Sequence, residues 1–391
     1  MAEQGQYPLV AIDPVANAQN EWVALSVLLA PGADLPQRLQ AVFADSSLLS
    51  AIAPLDCLLH LDSPAALTVP VLALLPANRV GLVVDAAALD AVSAARQLAE
   101  LHAYGYRIWL DGDIPEGAKA PAALRAVARD CRAQRGAALP PGRLVALFGP
   151  HLAHGVDDAR RFSDCEIAGF DWFSGDYPHD PDAAPSADDD GSSRRRILTL
   201  LGLLARDADS RELEHQIKQD PTLAYHLLKL VNSAAFAVST EITSFAHAIT
   251  VLGRRQLQRW LQLLLYARQQ PDGLPNLLLP LAARRAAQLE ALSRAAGGDR
   301  DAQDLAFMTG VFSLLDRLLY MPMAAIAAEL YLPDDVAGAL VERRGQLGAW
   351  LRLTETHPDE TALEEAGVDP ADWWTSQLHA YHWAIQVGRN V

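Results

Sequence analysis

A chain of 391 residues with 51% hydrophobic content is long enough for two or three domains with sizeable cores. Its net charge is −16, and the excess acid sits in residues 1–190, with 25 acidic against 12 basic residues. Residues 191–391 carry 23 against 20, so neither half offers the basic footprint of broad phosphate-backbone binding. No apolar run reaches the ~18 residues of a membrane span. Met1 to Tyr7 lacks the basic and apolar regions of a secretory signal. The three cysteines, Cys57, Cys131 and Cys165, are scattered and form no CxxC, the pattern of reduced, buried thiols in a cytoplasmic protein.

From Leu9 to about Tyr177, short apolar runs alternate with helical patterns. Leu9–Ile12, Trp22–Leu29, Val69–Leu75, Val80–Val84, Arg107–Leu110 and Leu144–Phe148 are continuous and bounded by Pro, Gly or Asp, which predicts buried strands. Ala86–Ala103, Pro121–Gln134 and Asp157–Ala168 read as helices between them. Such alternation predicts a parallel sheet covered by helices. Pro178 to Ser193 (PHDPDAAPSADDDGSS) is acidic and proline-rich with nothing to bury, and predicts a flexible linker. The expected units are therefore 1–178, a linker at 179–193, and 194–391. Arg194–Arg196 read as a solvated helix start, and everything from Ile197 onward reads helical.

Within the helical half, Gln219 to Gly253 organises the pattern. Asp220-Pro221 is a helix start, a capping acceptor followed by a residue with no N–H to lose. Leu223, Leu227, Leu230 and Val231 give one apolar face. Asn232-Ser233 interrupts it, because both side chains compete for backbone groups. Phe236 returns the chain to the core. Thr243 or Ser244 can cap a second helix that stops at Gly253, and Leu257, Leu261, Leu264 and Leu265 carry a third.

The order QDP, HLLKLVNSAAF, a polar link and AITVLGRRQLQRW resembles an HDOD module, the all-helical relative of the HD phosphohydrolases. The likeness extends through Phe307–Leu319 to Val341–Glu355. HD hydrolases ligate metal with an adjacent His-Asp pair. The corresponding position here holds Ser313-Leu314, with Asp316 expected to pair with a nearby arginine.

The first half resembles an EAL domain, a barrel-type phosphodiesterase of cyclic di-GMP, through Leu152–Tyr177 with Phe162, Cys165 and Gly169-Phe170-Asp171. Arg107–Asp111 and Trp22–Leu29 match earlier strands more weakly. That family holds two metal ions with carboxylates at strand ends, assisted by a lysine and a glutamine. By this resemblance Ser26 replaces the name-giving Glu, and Asp111-Gly112 keeps one of two aspartates. His154 and Asp157 replace two glutamates, Ser174 replaces the Gln, and Asp85 stands in for another acid. Lys119 is the only lysine before Lys218 and sits in a loop-like stretch, PEGAKAP. About 180 residues is also short against ~250 for an eight-fold barrel. The resemblance thus implies a degenerate, incomplete (β/α) barrel followed by an all-helical HDOD domain, with neither unit catalytic and no cofactor.

Other constellations read more plainly. His151 and His154, three apart on a strand, point to opposite faces, one to the surface and one to a pocket. His379 and His382 share a helix face beside Trp373, Trp374, Tyr381 and Trp383, where packing or interface use reads ahead of metal binding. Arg254, Arg255, Arg259 and Trp260 imitate a DNA-recognition helix, but the acidic surroundings and the core positions Leu257 and Leu261 argue against nucleic acid. The expectation is a bacterial, cytoplasmic signalling protein linked to cyclic di-GMP and acting through an unidentified protein partner or as a homodimer. The alternative is a receptor that binds cyclic di-GMP without hydrolysing it, and residual phosphodiesterase activity ranks behind both because the expected Glu, Lys and Gln are missing.

Overall fold

The first structural event is a hairpin. Strand β1 (Ala11–Asn17) pairs antiparallel with β2 (Trp22–Leu28) across a tight turn. In that turn the Asn17 side chain accepts the backbone N–H of Gln19 and of Glu21, and Asn20 adopts a positive φ. Four residues are too few for a parallel crossover, so β1 runs against its neighbours, and the all-parallel expectation fails at this strand. The computed structural model describes residues 9–29, 34–44, 47–90, 92–113, 124, 126–132, 148–180, 192–206, 212–213, 215–216, 245–266 and 276–390. The chain divides into two compact units, Met1–Ala183 and Ala184–Val391.

In the first unit, β3 (Asp56–Leu61), β4 (Val80–Asp85), β5 (Arg107–Asp111), β6 (Ala126–Asp130), β7 (Leu152–His154) and β8 (Trp172–Ser174) follow β2 in parallel. Antiparallel pairing of β8 with β1 closes an eight-stranded barrel. The expectation of a missing unit is corrected: strand number is complete. The chain economises in the connections, with α1 (Leu35–Phe43) and α2 (Ser47–Ala51) between β2 and β3 and only a 3₁₀ turn and α3 (Val69–Leu72) between β3 and β4. Helix α4 (Val92–Ala103) precedes β5, and α5 (Ala159–Ile167) precedes β8.

Three assignments change. Val69–Leu75 has the pattern of a strand but opens with α3, with Pro70 in its first turn where no ladder N–H is lost. Val71 and Leu75 are buried four residues apart whereas Val69 is 82% exposed, which is helical periodicity. Pro121–Gln134 was read as a helix but contains β6, whose Ala126 and Ala128 alternate inward. Pairing on both sides overrides the helix propensity of alanine and arginine. Strand β3 escaped notice because DCLLHL carries a polar histidine within a short run. Of Leu144–Phe148, only Phe148 is described, and it is exposed.

Side chains of Val15, Ala24, Leu58, Val83, Trp109, Ala126, Ala128 and Leu152 fill the barrel. Trp109 stacks on Trp172 at 5.7 Å and donates its indole N–H to the Pro150 carbonyl at 2.7 Å. Gly81 makes room for it, since a Cβ there would lie 2.5 Å from Cζ3 of Trp109.

The second unit is helical in its described residues. Its helices are α6 (Ser192–Ala205), α7 (Phe245–Leu264), α8 (Leu278–Ala295), α9 (Arg300–Phe312), α10 (Leu315–Leu319), α11 (Met323–Glu329), α12 (Asp334–Glu342), α13 (Gly345–Glu355), α14 (Glu360–Glu365) and α15 (Pro370–Asn390). Within α7, Gly253 has φ 72° and breaks the helix where the sequence places a stop. Leu257, Leu261, Leu264 and Leu265 are buried. Asp220, Pro221, Asn232, Ser233, Phe236 and Lys119 lie outside the described residues, as does all but the two ends of the expected linker.

Candidate functional site

Parallel strands bring their C-terminal ends to one rim of a barrel, so the last residues of β2 to β8 meet there whatever their sequence separation. Register aligns Asp85 with Asp111 across β4–β5, Asp130 with His154 across β6–β7, and His154 with Ser174 across β7–β8. His154 Nε2 lies 2.7 Å from an Asp111 carboxylate oxygen. His60 Nε2 lies 3.1 Å from Ser26 Oγ, and the His60 and His154 rings meet edge-on at 5.5 Å. Ser26 and Ser174 are buried, and His154 and Asp111 are partly buried. The rim is a linked set, Ser26–His60–His154–Asp111.

Electrostatics separates the two imidazoles. Burial and the neighbouring His154 push His60 down to about 4, against the pull of Asp111 and Asp13, so at neutral pH it is an uncharged hydrogen-bonding ring. For His154 desolvation opposes charge, but the Asp111 hydrogen bond and carboxylate prevail and raise its pKa. Asp111 is desolvated too, yet the same bond holds it below the usual carboxylate range. The pair favours imidazolium facing carboxylate, a preformed donor–acceptor couple for a polar ligand.

The remaining predicted positions fall as follows. Asp85 is exposed and accepts the N–H of Ala87. Gly112 has φ 93° and donates its N–H to the Ala128 carbonyl, so an aspartate at this position would be strained. Asp157 lines a neighbouring cavity with Cys131, Gly155 and Asp158. His151 is buried, not on the surface as expected: its Nδ1 accepts the Val127 N–H at 3.2 Å, because β7 starts under the barrel wall. Sequence reasoning missed His60, and its signal was a histidine two residues before an aspartate at the end of an apolar run, HLD. Among the described residues no three His, Cys, Asp or Glu are grouped to hold a metal. The rim carboxylates are separately engaged, Asp111 with His154, Asp85 with the Ala87 N–H and Asp130 with the Arg132 N–H, and do not converge as the oxygen-donor set that a pair of hard divalent ions prefers.

In the helical unit, Ser313 ends α9 and donates to the Gly310 carbonyl while accepting from buried Arg285 at 3.0 Å. Glu355 receives Arg285 at 3.4 Å and Arg343 at 2.7 Å. Burial pushes Arg285 down to about 10, still charged at neutral pH. Leu314 is buried, and Asp316 meets Arg317 only at 3.6 Å on a part-exposed surface. Arg259 binds Asp304 and Glu290 at 2.7 and 2.8 Å and covers the Phe307 ring, and Arg255 pairs with Asp304. These arginines are committed within the unit. His379 and His382 lie on an exposed face of α15.

Residues 194–318 match the HDOD domain family. Over 249 residues the chain is 29% identical to the cyclic di-GMP phosphodiesterase CdgJ of Vibrio cholerae, covering 61% of this chain and 56% of that protein. It is 26% identical over 239 residues to the uncharacterized protein YuxH of Bacillus subtilis, covering 59% and 58%. The chain thus spans little more than half the length of these curated relatives. A putative phosphohydrolase from Shewanella amazonensis aligns at TM-score 0.37 and 15% identity, over 50% of this chain and 93% of that one. A cyclic di-GMP-bound standalone EAL protein from Vibrio cholerae aligns at 0.33 and 14%, over 42% and 88%.

The expectation that neither unit is catalytic is corrected by the match to CdgJ, a protein named as a phosphodiesterase. Motif positions lost one at a time along a sequence do not tell which groups the fold regathers, and this fold gathers His60, His154 and Asp111 at one rim. Among the described residues no helix is long and apolar enough to cross a membrane. Residues 194–318 match the HDOD domain family and follow a closed eight-stranded barrel, in a chain related in sequence to a cyclic di-GMP phosphodiesterase.

Proposed function

We propose that this protein works in cyclic di-GMP signalling, with the barrel rim as the nucleotide site and the HDOD unit engaging a protein partner. The observation that carries the reading is the His154–Asp111 pair beside neutral His60 at the C-terminal rim of a closed barrel. Such a rim supplies a carboxylate-paired imidazole to face a phosphodiester and neutral donors and acceptors for sugar and base edges. The relationship to CdgJ supports the same ligand. Titration calorimetry of the full chain with cyclic di-GMP tests it. Binding that His154→Ala weakens supports the site, and no heat at millimolar nucleotide removes it.

A second reading, hydrolysis of the nucleotide, is favoured by the name of the same relative. Chromatography of the titrated sample after hours with Mg²⁺ or Mn²⁺ separates the two. Linear product that is lost in Asp111→Asn supports turnover at this rim. Capture from native lysate with the isolated 184–391 segment, if it folds, tests the partner reading, and a sedimentation measurement tests a second copy of the chain as that partner.

A further inference from the structure

Two of the three cysteines, 34 residues apart in sequence, meet in the fold. Cys131 follows β6 and Cys165 sits on α5, with their sulfurs 3.6 Å apart. Both are free thiols and both are buried, at 2% and 0% exposure. Cys131 also lines a cavity of about 250 Å³ with Gly155, Asp157, Asp158, Arg160, Arg161 and Asp164. One thiol of the pair therefore borders open space, and the other stands directly behind it.

We propose that Cys131 and Cys165 form a redox-modification site, in which a small peroxide enters this cavity and the two thiols close to a disulfide. The Cys131 thiolate attacks one peroxide oxygen, the O–O bond breaks, and water leaves after protonation. Cys131 is then a sulfenic acid. The Cys165 sulfur attacks the Cys131 sulfur, loses its proton, and displaces the hydroxyl as a second water. The two thiols lose two electrons and the two peroxide oxygens gain them.

Geometry needs little adjustment, since the sulfurs must close from 3.6 Å to the ~2.05 Å of a disulfide. Electrostatics assigns the roles. The hydrogen bond shared by the two sulfurs lowers Cys131 against the cost of burial, with help from Arg161 and His154. Cys165 is correspondingly raised. Cys57, fully buried in β3, is pushed up to about 12 and serves as the internal control. The cross-link would tie α5 to the β6–β7 pair, because the Cys131 N–H already donates to the His154 carbonyl at 2.8 Å. The chemistry does not depend on the nucleotide reading.

The full-length protein is treated with hydrogen peroxide, denatured, alkylated and mapped by mass spectrometry. Alkylatable thiols should fall from three to one, with Cys57 the survivor. A Cys131–Cys165 cross-linked peptide should appear, lighter by ~2 Da and restored by dithiothreitol. The pair should oxidise ~10-fold or more faster than Cys57. Cys165→Ser should leave a Cys131 sulfenic acid that dimedone traps, a readout that survives even if the cross-link is lost through local unfolding. The proposal is overturned if the pair oxidises no faster than Cys57. It is equally overturned by a cross-link involving Cys57, or by sulfinic acid at Cys131 while Cys165 stays free.

Discussion

His60 gives the sharpest test of the rim, because its burial and its neighbours set a pH window of their own. The imidazole is held against Ser26 and edge-on to His154, and its pKa falls from 6.5 to about 4. In the unfolded chain it takes its proton near 6.5. Between those values the unfolded state binds more protons than the folded one, so stability rises with pH and is lost as pH falls. At ~1.4 kcal/mol per pH unit the gap corresponds to ~3 kcal/mol, lost progressively from 6.5 down to about 4.

The other rim groups act outside that window. His154 is raised, so its contribution is fully present below 6.5 and is lost as pH rises through its folded value. Asp111 is lowered, so its contribution is present above 3.8 and is lost as pH falls through its still lower folded value. His379, also lowered, by partial desolvation in the crevice it lines with Glu290 and Trp383 and by Arg294, titrates in the same direction as His60 but in the other unit. Comparison with His60→Asn isolates the rim. The assay is an NMR titration of the imidazole C–H signal that vanishes in His60→Asn, paired with urea unfolding of both proteins. Wild type should lose ~3 kcal/mol more than the variant between neutral pH and pH 4. A titration midpoint at or above 6.5, or parallel stability curves, refutes the reasoning.

Three further outcomes follow from the same geometry. If the rim takes cyclic di-GMP, Asp111→Asn should weaken binding by ~10-fold or more through the loss of one charge-assisted bond, read by calorimetry, while Asp85→Asn should change it little. Gly81→Ala drives a methyl to 2.5 Å from Trp109 and should cost ~1–3 kcal/mol, with Trp109→Leu in the same chain returning part of it, measured as urea midpoints. Glu355→Ala removes one acceptor of buried Arg285 and should destabilise more than Arg285→Met, which removes the charge itself; the reverse order in chemical denaturation would mean the ion pair adds net stability. As a proposal on domain boundaries, limited proteolysis should cut first within Pro178–Ser193 and leave two resistant halves.

The sequence by itself determined what local chemistry determines. Continuous apolar runs placed β2, β4 and β5. The helical pattern over Asp157–Ala168 placed α5, which the Asp158 side chain caps by accepting the Arg161 N–H. Gly253 marked the helix break, and Leu257 and Leu261 the buried face of α7. The HDOD order of motifs was legible for the same reason, since each motif is a local capping or packing pattern.

What local patterns leave ambiguous was decided by partners distant in sequence. Ala126–Asp130 has helical composition and becomes a strand because β5 and β7 complete its hydrogen bonds. Val69–Leu72 is a run of apolar residues that reads equally as strand or buried helix, and packing chose the helix. Barrel closure rests on only two residue pairs between β1 and β8, far apart in the chain. The rim is the clearest case. His60 and Asp111 sit 51 residues apart and Asp111 and His154 43 apart, and neither spacing carries a signal. Only the common direction of the strands brings their last residues together, and the packing of α5 against the end of β6 brings together the two cysteines that the sequence keeps apart.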